Sequence, residues 1–272
     1  MSYGTPDWQK WALSEEEGIA HINLAYENDI QTFDTADLYL NGLSEVVLGK
    51  AINRLNLPRE EIVIMTKVCT QFSYHCRTPR ITRPRGDRRN ALHDVVKAGY
   101  VRYIGMSSCW AWQFHAMQNY AITHNLTLFI SMQNYYNLLY REEEREMPTL
   151  NVRFFSITAI LRSCKFCMLR LQHFGIGALA WSPVARGALT RPVGGGADSV
   201  RTGNDRSVNN YTKEPGNQVV VQHVEELAKK YNKSMAQIGL AWMLSKDVVS
   251  APIVGTTSLE KLTVLSGRWT LS

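Results

Sequence analysis

Two short apolar runs with one helix between them constrain this chain most tightly. Ile30 to Phe33 leads into Asp34, and Glu61-Ile62-Val63-Ile64-Met65-Thr66 leads into Lys67. Ser44 to Arg54 lies between, with apolar residues at helical spacing. A strand, a helix and a strand in that order make a crossover that joins parallel strands. Asp34 and Lys67 are therefore expected side by side at one edge of a sheet, the edge where the strands end. Tyr39 follows Asp34 in the connecting loop. Taken singly, these are a turn carboxylate, an interfacial aromatic and a solvated strand-end lysine. Together they are the parts needed to deliver a proton to a carbonyl oxygen.

The same alternation continues along the chain. Ser14 to Asn28 reads as a helix, with Ser14 as N-cap and Glu17 at the capping-box position. A helix near Ala91 to Ala98 precedes a strand at Val101 to Ser107. A helix from Ala111 to Thr123 precedes a strand at Leu126 to Gln133. Further strands are expected at Ile176 to Trp181 and Ser250 to Gly255, with helices at Val219 to Tyr231 and Met235 to Ser245 between them. Strands alternating with helices imply a parallel sheet. An α/β chain with apolar strands ending on polar residues fits a (β/α)8 TIM barrel. A doubly wound nucleotide-binding sheet is the alternative, but no Gly-x-Gly-x-x-Gly follows an early strand.

The barrel is expected to be incomplete, because only six strands are found where eight are needed. Forty residues separate Lys67 from Ser107, and a single βα unit takes roughly 25 to 35. One helix and one strand are missing there. The chain also begins almost at its first helix, leaving no first strand, and ends soon after its last strand. We read residues 1–272 as one domain. Within it, the irregular segment 76–90 replaces a βα unit, and 151–173 is inserted before the strand at Ile176.

Charge singles out the same two stretches. The chain of 272 residues is 45% hydrophobic and 20% charged, ordinary for a globular protein, with a net charge of +6. Cys76 to Asn90 holds six arginines against Asp87, and Thr149 to Phe174 holds Arg153, Arg162, Lys165 and Arg170 with no acid. The remainder carries 20 basic and 23 acidic residues, a net of −3. The basicity thus belongs to two segments, of which 76–90 has no aromatic residue, and neither carries a recognisable nucleic-acid-binding module, which argues against nucleic acid as a partner. No run is long and apolar enough for a membrane span, and Met1 to Lys10 is too polar for a signal peptide. Five cysteines without a framework, including the lone pair Cys164 and Cys167, suit a reducing cytoplasm and no metal site.

Several ordered motifs resemble the aldo-keto reductase family, in particular its fungal aryl-alcohol-dehydrogenase-like branch, which is related to the β subunits of potassium channels. They are FDTADLY, IVIMTK, VRYIGMSS, SMQNYYNLLYRE, WSPVARGALTR and APIVGTTSLEKL. The resemblance covers Met1 to about Phe72, Ala91 to Met147 and Gly175 to about Leu262. It implies a barrel that binds NADP(H) at its C-terminal face and interconverts an aldehyde or ketone with its alcohol. Tyr39 is then the general acid, Lys67 the ammonium that lowers its phenol pKa from the usual value near 10, and Asp34 the anchor of Lys67.

The same resemblance assigns the cofactor residues. Ser107, Ser108 and Gln133 hydrogen-bond the nicotinamide carboxamide. Trp181, otherwise a buried strand-end tryptophan, stacks on the ring. Ser182, Pro183, Val184, Arg186, Gly187, Leu189 and Arg191 form the loop that wraps the pyrophosphate. Gly255, Thr256, Thr257 and Lys261 receive the adenosine 2′-phosphate at a strand end and helix start. Lys261 also reads as a plain surface lysine.

Two departures from the family stand out. Its fourth catalytic residue, a histidine at the end of the fourth strand, falls in the missing unit, and neither His75 nor His93 takes that role. The acid-poor composition and abrupt edges of 76–90 and 151–173 also fit a shifted exon and a translated intron. The alternatives to an active reductase are an NADPH-binding pseudoenzyme or regulatory subunit without turnover and the product of a degraded or mis-predicted gene.

Overall fold

The computed structural model describes residues 3–7, 9–68, 85–146, 175–194, 211 and 214–266. The element order is α1 (Glu15–Glu27), β1 (Thr32–Asp34), α2 (Leu43–Arg54), β2 (Val63–Met65), α3 (Arg85–Lys97), β3 (Ile104–Ser107), α4 (Ala111–Thr123), β4 (Phe129–Tyr135) and α5 (Glu143–Glu146). It continues with β5 (Gly177–Trp181), a 3₁₀ segment (Ala185–Thr190), α6 (Pro215–Tyr231), α7 (Met235–Leu244), β6 (Val249–Ile253) and α8 (Leu259–Ser266). The strand–helix alternation read from the sequence is therefore present. Helix α3 begins at Arg85, so its first turns fall inside the arginine-rich segment. The rest of that segment and all of 151–173 lie outside the described residues.

The chain divides into two compact units, one of Met1–Gln71, Val184–Ala241 and Ile253–Ser272, the other of Phe72–Pro183 and Trp242–Pro252. In the first unit, β1 and β2 pair in parallel, with Thr32 opposite Val63, Phe33 opposite Ile64 and Asp34 opposite Met65. Helix α1 starts as its sequence dictates. The Ser14 hydroxyl accepts from the Glu17 backbone, and the Glu17 carboxylate accepts from the Ser14 backbone. Its buried face, Ile19, Ile22 and Ala25, joins Val47, Leu48 and Ala51 of α2, Phe33 of β1 and Leu262 of α8 in one apolar cluster. α1 thus packs on both α2 and α8.

In the second unit, the strands lie in the order β3-β4-β5-β6. β3 and β4 are parallel, with Ser107 opposite Gln133, and β4 and β5 are parallel, with Tyr135 opposite Trp181. Phe114, Phe129, Met132, Ile104 and Ile176 form the core against this sheet. Gln118 of α4 acts as a surrogate strand at the start of β4. Its amide nitrogen donates to the Phe129 carbonyl at 3.0 Å, and its oxygen accepts from the Phe129 N–H at 3.0 Å. No closed barrel is formed by the described strands, as expected of an incomplete (β/α)8 fold.

Candidate active site

Parallel register places Asp34 at the end of β1, and Lys67 follows two residues beyond β2. The Lys67 ammonium donates to both Asp34 carboxylate oxygens, at 2.7 and 2.6 Å, and to the Thr35 carbonyl at 2.9 Å. Three acceptors match the three protons of an ammonium, so its direction is fixed. The Asp34 side chain is 9% exposed and that of Lys67 is 19%, so the pair is largely removed from water, where its attraction is strengthened. The Lys67 nitrogen lies 5.1 Å from the centre of the Tyr39 ring. The three residues singled out in the sequence are therefore together.

The loop that carries Tyr39 is tightly turned. Leu40, Asn41 and Gly42 are left-handed in succession, with φ of 52°, 54° and 87°. The Tyr39 N–H donates to the Ala36 carbonyl, and the Asp37 N–H donates to the Lys67 carbonyl at 3.2 Å. Thr35, fully buried, shares a hydrogen bond of 2.8 Å with the hydroxyl of buried Ser44 on α2. Thr66, next to Lys67, donates to the Glu45 carboxylate at 2.5 Å. None of Thr35, Ser44, Glu45 or Thr66 was singled out from the sequence. The signal for them was their adjacency to Asp34, Lys67 and the start of α2.

Also in the first unit, the loop from Val184 to Arg191 coils on itself. Ala185, Arg186 and Gly187 are left-handed, with φ of 49°, 54° and 103°. The Gly187 carbonyl accepts from the Thr190 hydroxyl at 2.8 Å and from Arg191 Nε at 3.3 Å. A side chain at Gly187 would meet Arg191 Nη2 at 3.1 Å, so glycine suits both the turn and the approach of the guanidinium. Leu189 is fully buried, which leaves only its backbone for a ligand.

Near α8, Gly255 is exposed with open space where a side chain would stand. Ser258, absent from the sequence assignment, caps the helix by accepting from the Lys261 N–H at 3.3 Å. Its own N–H donates to the Thr256 hydroxyl. Lys261 is exposed in the first turn.

In the second unit, the Ser107 hydroxyl and the Ser108 N–H both donate to the Gln133 carbonyl, at 2.9 and 3.0 Å. Trp181 Nε1 donates to the Ser108 hydroxyl at 3.3 Å. The Trp181 ring stacks on Tyr135 at 4.2 Å, and Tyr135 in turn meets Tyr140 at 4.4 Å. Ser108 and Ser182 are left-handed, with φ of 51° and 56°. Pro183 is buried. Ser107, Ser108, Gln133 and Trp181 are thus assembled around adjacent strand ends. Tyr135 and Asn137 were missed, although Asn137 opens an Asx turn of the kind asparagine favours, its oxygen accepting from the Leu139 N–H.

Of the two histidines near the missing unit, one is engaged and the other lies outside the described residues. His93 on α3 pairs through Nδ1 with the Thr127 hydroxyl and N–H, at 2.9 and 3.0 Å. His75 lies outside the described residues.

The family model for the aldo/keto reductases matches residues 1–88 and 87–269. The chain is 34% identical to a versiconal hemiacetal acetate reductase of Aspergillus parasiticus, over 312 positions covering 96% of this chain and 84% of the relative. It is 34% identical to a Schizosaccharomyces pombe protein named as an aryl-alcohol dehydrogenase, with 96% and 84% covered. It is 32% identical to an aldo-keto reductase of Alternaria alternata, with 96% and 80% covered. The first alignment runs over 312 positions and the whole chain has 272 residues, so at least 40 aligned positions have no residue here. Matched along nearly its whole length, the chain belongs to the aldo/keto reductase family of oxidoreductases.

Proposed function

We propose that the protein is an NADP(H)-dependent reductase that interconverts an aldehyde or ketone and its alcohol. The observation that carries this reading is the Asp34–Lys67 pair, closed by two hydrogen bonds, with the Lys67 nitrogen 5.1 Å from the Tyr39 ring centre. A neutral phenol is a poor proton donor near neutrality, and a fixed ammonium beside it stabilises the phenolate left behind. Tyr39 would give its proton to the carbonyl oxygen in reduction and take it back in alcohol oxidation. Asp34 and the Thr35 carbonyl hold the ammonium so that this stabilisation needs no rearrangement during reaction. A nicotinamide, when bound, supplies or accepts the hydride.

The residues present suit that cofactor. Ser107, Ser108, Gln133 and Trp181 offer hydroxyl, amide and aromatic groups at adjacent strand ends. The left-handed turn at 185–187 and the arginines Arg186 and Arg191 suit a pyrophosphate. The capped start of α8, with exposed Lys261 and unobstructed Gly255, suits a phosphate. The last of these favours NADP(H) over NAD(H).

We infer a fungal secondary-metabolite carbonyl as the substrate class; the Aspergillus relative is named for reduction of versiconal hemiacetal acetate. The partner is then a small molecule and the setting cytoplasmic. No helix among the described residues is long and apolar enough to cross a membrane.

A second reading, an NADP(H)-binding protein without turnover, is favoured by the unmatched alignment positions and by the family match that splits at residues 87–88. NADPH fluorescence titration and aldehyde turnover separate the two. Binding with turnover that Tyr39→Phe abolishes supports the reductase. Binding without turnover supports the second reading, and no binding overturns both.

A further inference from the structure

We propose that the buried Thr35–Ser44 hydroxyl pair positions the Lys67 ammonium and the Tyr39 loop together; this rests on the reductase reading above. The geometry is that of one joint serving two groups. Thr35 accepts the third Lys67 hydrogen bond on its carbonyl, at 2.9 Å, and engages Ser44 with its hydroxyl, at 2.8 Å. Ser44 in turn donates its backbone N–H to the Tyr39 carbonyl at 3.3 Å. A path of three hydrogen bonds thus runs from the ammonium to the backbone of the general acid, through two residues that are themselves buried.

Burial makes this joint stiff. Thr35 is 1% exposed and Ser44 is fully buried, so each hydroxyl depends on the other and no water competes. The start of α2 has no side-chain cap from Gly42, whose φ is 87°. The helix start is held instead by what its first residues reach. Ser44 reaches Thr35, beside Asp34, and Glu45 reaches Thr66, beside Lys67. Consecutive helix residues therefore grip the neighbours of both charged residues. Packing alone needs no hydroxyl at Thr35, since valine has the same branched shape.

The test uses the full chain with Thr35→Val, which keeps the shape and removes the hydroxyl, and Thr35→Ser, which keeps the hydroxyl. Ser44→Ala provides the same deletion from the other side where Thr35→Val does not fold. The expected result is a loss in kcat of about tenfold or more for the deletions, with KM for NADPH little changed and with Thr35→Ser close to the parent. A parallel readout is the ring-carbon NMR signal of Tyr39 in tyrosine-labelled protein, assigned with Tyr39→Phe. It is expected to shift in the deletions and to stay in Thr35→Ser. Absence of turnover in the parent protein defeats the reductase reading, while the Tyr39 signal still decides the positioning role. Deletions that fold and leave both kcat and the Tyr39 signal unchanged overturn the proposal. So does a Thr35→Ser variant as impaired as Thr35→Val.

Discussion

Asn137 holds Ser182 from across the sheet edge: its Nδ2 donates to the Ser182 carbonyl at 3.1 Å. The Asn137 oxygen meanwhile accepts from the Leu139 and Tyr140 N–H groups, at 3.0 and 2.9 Å. Asn137 is fully buried, so these bonds face no competition from water. Ser182 has a left-handed backbone, which a residue other than glycine keeps only when its surroundings impose it. Asn137→Ala removes all three bonds and leaves the partners buried. We expect a loss of about 2–3 kcal/mol in chemical denaturation. Asn137→Asp keeps the two acceptor contacts but sets a carboxylate against a carbonyl. It should be no better than alanine, and an unaltered denaturation midpoint in either variant would refute the assignment.

The Ser14–Glu17 capping box gives a prediction with a pH signature. The Ser14 side chain and then its backbone hydrogen-bond the Glu17 carboxylate, at 2.7 and 2.9 Å, and hold its pKa below the ordinary value. A carboxyl whose pKa is lower in the folded state stabilises the fold above its unfolded pKa, about 4.3, and loses that contribution as pH falls through the folded value. Ser14→Ala should cost about 1 kcal/mol near neutral pH. Part of that difference between parent and variant should fade in acid, read from urea midpoints between neutral pH and about pH 3. A difference that grows on acidification would contradict the sign.

These two sites also mark what the sequence made legible. The capping box is local: residues 14 and 17 decide it, and the spacing alone announces it. The Asp34–Lys67 pair is nearly local, because one crossover fixes which strand ends meet. Asn137 was quoted within a motif yet given no role, since its partner Ser182 is 45 residues away and nothing in the pattern pairs them. Thr35 and Ser44 are nine apart, but a buried hydroxyl pair leaves no periodic trace. Trp181 was placed at the right strand end, while its stacking partner Tyr135 depends on the register between β4 and β5. The α8 helix was recognised only by its N-terminus, because its short apolar face is completed by α1. Elements and strand ends follow from periodicity, and partnerships across strands do not.

The family match itself suggests an experiment on the message. It breaks at residues 87–88, within the arginine-rich segment, and at least 40 positions of the Aspergillus alignment have no residue here. A single βα unit needs roughly 30 residues. The mature transcript is expected to carry additional in-frame sequence between the codons for Lys67 and Ala91, and to lack the codons for 151–173. Reverse transcription and sequencing across both junctions reads this directly. A message encoding both segments as they stand would dismiss the splicing explanation and leave a diverged protein.

Arg89 stands just past that break and is buried against the core of the second unit. It is 1% exposed, with its guanidinium carbon 4.1 Å above the Phe129 ring. One nitrogen donates to the Thr127 carbonyl, whereas Nε and Nη1 have no hydrogen-bond partner among the described residues. Burial lowers its pKa, the direction expected of a cation taken out of water. Leaving charged donors unpaired in a core costs more than the ring contact returns. Arg89→Met keeps an unbranched chain of similar reach and removes the unpaired donors. We expect the variant to be more stable by about 1–3 kcal/mol in urea unfolding. His93, one turn further along α3, should keep its bonds to Thr127, so an imidazole resonance unchanged between parent and variant would show that the helix stays in place. A variant less stable than the parent, with that resonance unchanged, would mean that Arg89 is a net support of the core.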